Sequence, residues 1–520
     1  MTNSKKRRLA TVVGYIVVVC ALMGCRDGGP SSDQDDAVPK LDNHIPRDVG
    51  DVQPGLLPND VQSQLDHLSW QTFVALNWPA NANVPIGQAP NQPRVWELYS
   101  DPVEFFQPDL APTKDGSGTK VLYMKSKKVE LIRDPDIIDQ AASGKPVIDQ
   151  FGNYAVYEIR SNPVQKQDIT QAGLQSEDAM IQYAQGSQNS VFRFTPGEIP
   201  EDGGDGTVGA IELKAAWRIF PEDLLEAHPE ILDRYHHRPA WIYTDGLQSD
   251  SIKVTVGLIG LHIAHKTKTY PQWLWATFEH VDNYERGPEA PAWLNPTFND
   301  GETPPNYATD NREPKPMDST FTWNDTTPFA TSTSRPQVTR CVNEVPIPHE
   351  VNAMWQEQLK GTPWQYYRLN ATQWVGPANA NEQKLVAFPQ NDEGVSIVRN
   401  SVLETYLLTW NNQKTVTTGG NGLPPWKKGT PIDPTTLASQ VFFDRVTDLE
   451  AIDNQLYNYL IPATVEVNEP KPEDAKYRGT WSSCVLCHQD ADWEVTLSDS
   501  TLKVSTDMSF LFKSFLQDVQ

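Results

Sequence analysis

Cysteine is scarce in this chain, and cationic residues are clearly outnumbered by anionic ones. Five cysteines among 520 residues are too few for a disulfide-dense scaffold. Lys and Arg total 43 against 67 Asp and Glu, so the net charge of -24 argues against nucleic acid as a partner. A mean hydropathy of -0.52 excludes a polytopic membrane protein. The 42 prolines and 16 tryptophans favour instead a globular body with many loops and a sizeable core.

Several common catalytic motifs are missing as well. The sequence contains neither a G-x-S-x-G nucleophile motif nor a phosphate-binding G-x-x-x-x-G-K-[ST] motif. Residues 204–209 fit G-x-G-x-x-G but precede a predicted strand, so we expect a turn there rather than a dinucleotide site. His349 and Glu350 begin like a zinc-protease motif, but Ala353 stands where the second histidine is required.

The N-terminus has the features of an export signal. Four cationic residues at 5–8 precede the 16 uncharged residues 9–24, a run shorter than the roughly 20 residues that span a bilayer. The segment LMGC, which ends at Cys25, resembles the lipobox of bacterial lipoproteins, in which this cysteine is acylated. An uncleaved anchor and a plain secretory signal are the alternatives. We predict a signal peptide over 1–24, lipid attachment at Cys25, and a periplasm-facing or surface lipoprotein. The outer membrane is favoured because Arg26 follows Cys25.

Periodicity along the rest of the chain predicts an α+β, β-rich fold. A flexible tether is expected over 25–59, a β-rich body over 60–390 and a helical region over 391–520. The body is predicted to be an antiparallel sheet or sandwich with flanking helices. Its first helix should be capped by Asn59-Asp60. Strands are expected at Ile211–Ile219, Pro239–Thr244, Val254–His262 and Pro271–Asn283, the last two as a hairpin, and later helices at Val395–Trp410 and Thr435–Leu460.

The most specific motif lies near the C-terminus, where Cys484, Cys487 and His488 form C-x-x-C-H. Two thiols at this spacing reach the vinyl groups of haem, and the adjacent histidine binds the iron. A zinc site would need further nearby ligands, and none follows His488. A redox dithiol would be expected in a βαβ context. We predict one covalent haem c, with a disulfide-forming pair as the alternative.

Only 32 residues follow His488, so upstream segments must cover most of the haem. The sequence therefore predicts that the C-terminal segment packs against the β-rich body. The sixth iron ligand stays open among Met508, His262 and His280, each of which could instead be a core residue. Five-coordinate iron is a further alternative.

Motifs across almost the whole mature chain resemble an uncharacterised family of bacterial cytochrome c proteins, exported and carrying one C-terminal C-x-x-C-H. The matching stretches are Ser69–Pro79, Gly257–Thr267, Gln272–Asn283, Pro363–Trp374, Val398–Tyr406, Ser482–His488 and Asp507–Phe512. The resemblance implies haem binding by Cys484, Cys487 and His488 but no established substrate. In that family an aromatic residue commonly occupies the position of Met508.

These observations predict a membrane-tethered, mono-haem c-type cytochrome that transfers electrons in the periplasm or at the outer membrane. Removing the four cations of residues 1–24 leaves 39 minus 67 charges, or -28, which favours a basic redox partner protein. Two alternatives remain. One is a haem enzyme acting on a small oxidant such as peroxide, and the other is a non-redox surface binding lipoprotein with a Cys484–Cys487 disulfide.

Overall fold

Helices and strands are mixed along the chain, which confirms the predicted α+β, β-rich class. The computed structural model describes residues 38–53, 55–56, 60–110, 119–123, 147–186, 191–202, 204–243, 251–301, 327–329, 338, 345–379, 384–389, 398, 400–403, 484–488, 491–497 and 500–516. The strands are β1 Lys120–Tyr123, β2 Val156–Ser161, β3 Ile211–Phe220, β4 His237–Tyr243, β5 Ser251–His265, β6 Leu274–His280, β7 Tyr367–Asn379, β8 Lys384–Phe388, β9 Trp493–Thr496 and β10 Thr501–Val504. The helices are α1 Val61–Leu76, α2 Val103–Phe106, α3 Pro163–Gln171, α4 Glu177–Gly186, α5 Glu222–Ala227, α6 His349–Gln358, α7 Cys484–His488 and α8 Leu511–Leu516. Short 3-10 helices span Val49–Asp51, Val95–Leu98, Pro108–Leu110, Pro229–Arg234 and Pro363–Tyr366.

One large sheet organises the described residues, so the sandwich alternative is not realised there. Strands β1 to β8 form an eight-stranded sheet, and β9 and β10 form a separate hairpin. Strand β5 lies at the centre. One of its edges pairs with β3, while the other pairs first with β4 and then with β6. All of these pairs are antiparallel, and only β1 and β4 run parallel among the pairs described. The predicted hairpin of β5 and β6 is confirmed.

The register divides the central side chains between two faces of the sheet. On β5, Leu261 and Ile263 share one face, which we call the first face, with Ala276 and Phe278 of β6. His262 and Ala264 lie on the second face, next to Thr277 and Trp275 of β6. The strand is buried on both faces, because Leu261 is fully buried on the first and Ala264 is only 7% exposed on the second.

Helix α1 covers the first face and begins where the sequence predicted. The Asp60 carboxylate caps it by accepting a hydrogen bond from the Ser63 amide at 2.8 Å. Phe73 stacks on Phe278 of β6 with ring centroids 4.2 Å apart, an aromatic contact that adds roughly 0.5–1.5 kcal/mol to the effect of burial alone. Val61, the first of the apolar residues that recur at helical spacing along α1, is 41% exposed. The later ones are buried and anchor α1 to the sheet, namely Leu65, Leu68, Phe73 and Leu76.

Residues 38–56, which belong to the predicted tether, instead form part of the body. Val52 and Leu56 are each only 2% exposed. The Asp48 carboxylate accepts a hydrogen bond from the Thr269 hydroxyl at 2.8 Å, just beyond the end of β5. Val38–Gln520 forms one compact unit. A few apolar residues within this polar stretch are enough to dock it on the body.

Two apolar clusters cover different parts of the second face. The tail cluster joins Ala264 and Trp275 of the sheet to Val485, Met508 and other residues of the C-terminal segment. The mid-chain cluster joins side chains of β2, β3 and β5 to side chains of later loops. Its members include Tyr157, Ala216, Ile259, Phe298 and Val402. The predicted packing of the C-terminal segment against the body is therefore confirmed. Leu511 and Phe512 of α8 are almost fully buried in the tail cluster, and burial of each contributes roughly 1.5–3 kcal/mol.

Candidate functional site

The C-x-x-C-H motif forms helix α7, a single helical turn seated on the second face. Val485 is fully buried, and its amide donates a hydrogen bond to the Gln373 side-chain oxygen of β7 at 2.9 Å. Cys484 is half-buried and packs against the tail cluster. The side chain of Cys487 lies outside the described residues. Val485, the second residue of the motif, thus fixes α7 to the sheet, and Cys484, the first, adjoins the tail cluster.

The His488 imidazole is held by a backbone carbonyl. Its Nδ1 lies 2.8 Å from the Met508 oxygen, and since a carbonyl only accepts, Nδ1 must donate. The proton is therefore on Nδ1, and the lone pair that can bind a metal is on Nε2. Burial, and to a smaller extent His262 and Lys214, together lower the pKa of His488 to about 3, although the hydrogen bond to the Met508 carbonyl opposes the shift. The ring is consequently neutral at pH 7, which is the form that a metal ligand requires.

Aromatic side chains surround the His488 ring. The Trp275 ring of β6 lies 4.3 Å from it, centroid to centroid, at an interplanar angle of 44°. Phe510 approaches edge-on, with a centroid distance of 5.0 Å and an angle of 66°. These rings restrict how far the imidazole can rotate, and they keep water away from the part of the ring they cover.

The carbonyl that holds His488 belongs to a backbone turn in an unfavourable conformation. Asp507 and Met508 have φ values of 55° and 64°, in the left-handed region that non-glycine residues avoid. Trp273, which leads into β6, has φ 69°, and its indole donates to the Asp507 carbonyl at 2.8 Å. Conformations of this kind cost about 1–3 kcal/mol each and persist where surrounding contacts enforce them. Three contacting residues with positive φ indicate that tertiary contacts fix the conformation of this turn.

The side chain of Asp507 makes several of the contacts that hold this turn. Its side chain is fully buried and forms an ion pair with Lys266, directly after β5. The same carboxylate accepts a hydrogen bond from the Phe194 amide at 2.8 Å. Burial raises the pKa of Asp507 to about 6 and lowers the pKa of Lys266, so burial opposes charge on both partners while each stabilises the other. Removing either one would leave a buried group without its counter-ion.

The three sixth-ligand candidates lie in different environments. Met508 is 2% exposed, and its carbonyl lies on the Nδ1 side of His488. His280 is on the first face, opposite α7; its Nε2 lies 2.9 Å from the Arg234 carbonyl, and its Nδ1 accepts from the Asp282 amide at 3.1 Å. His262 is on the second face and half-buried, and it is coupled electrostatically to His488. Of the two histidine candidates, only His262 shares a face with the motif.

Lys266, Asp507 and Gln373 were not anticipated as parts of the site. Lys266 directly follows the largely apolar strand β5, and Gln373 is one of several polar residues in β7. A charged or amide residue in or next to a buried strand indicates a buried polar contact, but the sequence does not identify its partner. The partner of Lys266 lies 241 positions later and that of Gln373 lies 112 positions later. Only the folded chain brings these residues together.

Several features of the sequence lie outside the described residues. They are Cys25 and the rest of residues 1–37, Cys341, and the expected helices at Val395–Trp410 and Thr435–Leu460, except for residues 398 and 400–403. Within the part of the chain that is described, no cluster of three or more His, Cys, Asp or Glu side chains is arranged to hold a metal ion. None of the helices described has the length and apolar character needed to cross a membrane.

Comparison of the chain with protein-family models, with curated proteins and with solved structures finds no match.

Proposed function

We propose that this chain is a membrane-tethered, mono-haem c-type cytochrome that transfers electrons outside the cytoplasmic membrane. The observation that carries the proposal is the geometry of α7. A one-turn helix brings Cys484 and Cys487 to i and i+3 on one face, and His488 follows with its proton committed to the Met508 carbonyl. The motif thus combines two cysteines at the C-x-x-C spacing with a neutral imidazole that has its lone pair on Nε2, which are the groups that haem c requires.

The surroundings of α7 fit the same group. Haem is a large apolar ring, and the motif borders aromatic and aliphatic side chains of the tail cluster. A hydrogen bond from Nδ1 to a carbonyl raises the basicity of the imidazole and fixes its orientation. The buried ion pair of Lys266 and Asp507 holds the turn that supplies this carbonyl. The residues present therefore fit a histidine-ligated haem c.

When bound, haem c would supply a one-electron iron couple. The chain's part is to attach the group through Cys484 and Cys487, to hold the His488 ring, and to keep water from it with Trp275 and Phe510. Exclusion of solvent and hydrogen bonding to the axial ligand both tune the reduction potential. The acidic body, at -24 for the whole chain, would attract a basic partner protein and speed its encounter. Lipid on Cys25 would keep that encounter at a membrane surface.

Covalent attachment is the direct test. The full chain is expressed with the machinery that matures c-type cytochromes, and haem-dependent peroxidase staining is measured on a denaturing gel. We expect one haem per chain, and loss of the stain in the Cys484→Ala and Cys487→Ala variants. Cys341→Ala is the matched control and should stain like the wild type. A wild-type chain that stays colourless while a known cytochrome matures in the same cells would refute the proposal.

A further inference from the structure

A polar row crosses the second face between the two apolar clusters. Lys214, His262 and Thr277 are register partners on β3, β5 and β6, so their side chains lie side by side. Ala264 and Trp275, two positions along the strands in one direction, belong to the tail cluster. Ala216, in the other direction, belongs to the mid-chain cluster. The row therefore lies at the boundary between the two clusters, and its next member on β2, Ile159, packs against the tail cluster.

Exposure along the sheet supports this description. Ala264, Trp275 and Ala216 are buried at 7%, 5% and 0% exposure, whereas Lys214 and His262 in the row between them are half-buried. A lysine and a histidine at the centre of an eight-stranded sheet would ordinarily be covered or replaced by apolar residues. Thr277, in the same row, is 1% exposed and accepts a hydrogen bond from the Asn400 amide at 3.0 Å. Among the described residues, the gap between the clusters therefore lies at Lys214 and His262.

This gap adjoins the His488 ring. Trp275, whose ring lies 4.3 Å from that of His488, is two residues before Thr277 on the same face of β6. His262 is the register partner of Thr277 and therefore lies on the face of the sheet against which the His488 ring packs, and His262 and Lys214 both lower the pKa of His488. One edge of the gap is thus formed by the histidine of the attachment motif and the aromatic ring packed on it.

The environments of the other candidate ligands favour His262. The Met508 carbonyl lies on the Nδ1 side of His488, whereas a ligand across the iron must lie beyond Nε2, on the opposite side of the ring. His280 is on the first face, and protein groups occupy both of its ring nitrogens. Lys214 is the register partner of His262, so a cationic residue adjoins the histidine on the same face, a combination suited to a ligand that carries both a metal and carboxylates.

We infer that His262 supplies the second axial nitrogen to the haem iron, across from His488. The inference rests on the proposed function and makes it more specific: a bis-histidine iron is six-coordinate and suited to electron transfer. A five-coordinate iron would leave a position open for peroxide or another small oxidant. The same residue would thus decide between the two redox hypotheses that the sequence left open.

The experiment compares haem-loaded wild type with His262→Ala by absorption and electron paramagnetic resonance. The wild type is expected to be six-coordinate and low-spin and not to bind carbon monoxide when reduced. His262→Ala should keep its covalent haem but become high-spin and bind carbon monoxide, and added imidazole should restore the low-spin spectrum. His349→Ala is the matched control, since this histidine is exposed at the start of α6; its spectrum should equal that of the wild type.

Two results would overturn the inference without touching the proposed function. One is covalent haem whose low-spin spectrum is unchanged in His262→Ala. The other is a wild type that binds carbon monoxide as readily as the variant. If His262→Ala does not fold, as judged by circular dichroism, His262→Met provides a second test, because a thioether ligand should raise the reduction potential. An unchanged potential in that variant would count equally against the inference.

Discussion

Replacing Lys266 by methionine should strongly destabilise the protein. Methionine has a similar length, so the main loss is the ammonium group that faces the fully buried carboxylate of Asp507. Breaking a buried ion pair by removing one partner typically costs about 3–5 kcal/mol. The Phe194 amide still donates to the carboxylate, so we expect the lower end, about 3 kcal/mol. That corresponds to roughly a hundredfold shift of the unfolding equilibrium.

The loss should depend on pH in a defined direction. Burial already raises the pKa of Asp507 to about 6 with Lys266 in place, and without the ammonium it must rise further. A carboxyl whose pKa is higher in the folded than in the unfolded state favours folding when protonated, so the penalty is full at high pH and is relieved as pH falls. The difference in unfolding free energy between wild type and Lys266→Met should therefore be largest near pH 8 and smaller near pH 5.

Urea denaturation followed by tryptophan fluorescence measures this difference. The matched control is Lys268→Met. Lys268 pairs with Glu198 at the surface, where the two side chains are 63% and 52% exposed, so its loss should change stability by less than about 1 kcal/mol. Adding Asp507→Asn to Lys266→Met should recover part of the stability, because the remaining buried group is then neutral. Equal midpoints for Lys266→Met and Lys268→Met at pH 8 would refute the proposed role of the buried pair.

Two further substitutions test other parts of the fold. Asp66 accepts a hydrogen bond from the Thr372 amide, and burial raises the pKa of its carboxyl to about 7. The ionised carboxylate therefore destabilises the folded state at pH 8, and Asp66→Asn should stabilise the protein there by up to about 4 kcal/mol. At pH 4 the carboxyl is protonated in the folded protein, so the substitution should have little effect. Equal effects of Asp66→Asn on urea midpoints at the two pH values would contradict this. Gly209→Ala should cost more than about 4 kcal/mol, because φ is +86° and the new Cβ would lie 2.3 Å from the Gly197 amide nitrogen. Gly173→Ala is the control, because φ is +68° there too but no atom lies within 4 Å of the new Cβ. It should cost about 1–2 kcal/mol and lower the thermal midpoint far less. Similar thermal midpoints for the two variants would contradict the steric argument.

The sequence predicted those elements whose periodicity reflects burial. The strand expected at Ile211–Ile219 is observed at Ile211–Phe220, and the apolar run at Val254–His262 lies within β5. Helix α1 begins after its predicted cap, because Asp60 can satisfy an exposed backbone amide. These successes depend on local chemistry: alternation sets the face of a strand, and a carboxylate at the first turn sets the start of a helix.

The environment of His488 could not be predicted in the same way. The attachment motif is recognisable because its three functional residues are adjacent in sequence. The Met508 carbonyl that orients His488 is a backbone group, and no residue type specifies it. Helix α8 begins only at Leu511, because positive φ values at Asp507 and Met508 interrupt the helical backbone. Tertiary contacts with Lys266 and Phe194 outweigh the local preference there.

The contacts of the C-terminal segment also constrain the order in which this protein matures. Val485 docks on a residue 112 positions earlier, and Asp507 contacts a residue 313 positions earlier, so the second face is completed only after these late segments have been synthesised. Long-range contacts of this kind form late in folding. The Cys484 thiol becomes half-buried once the segment has docked. On the proposed function, the attachment machinery must therefore act on a newly exported chain whose C-terminus has not yet settled on the sheet.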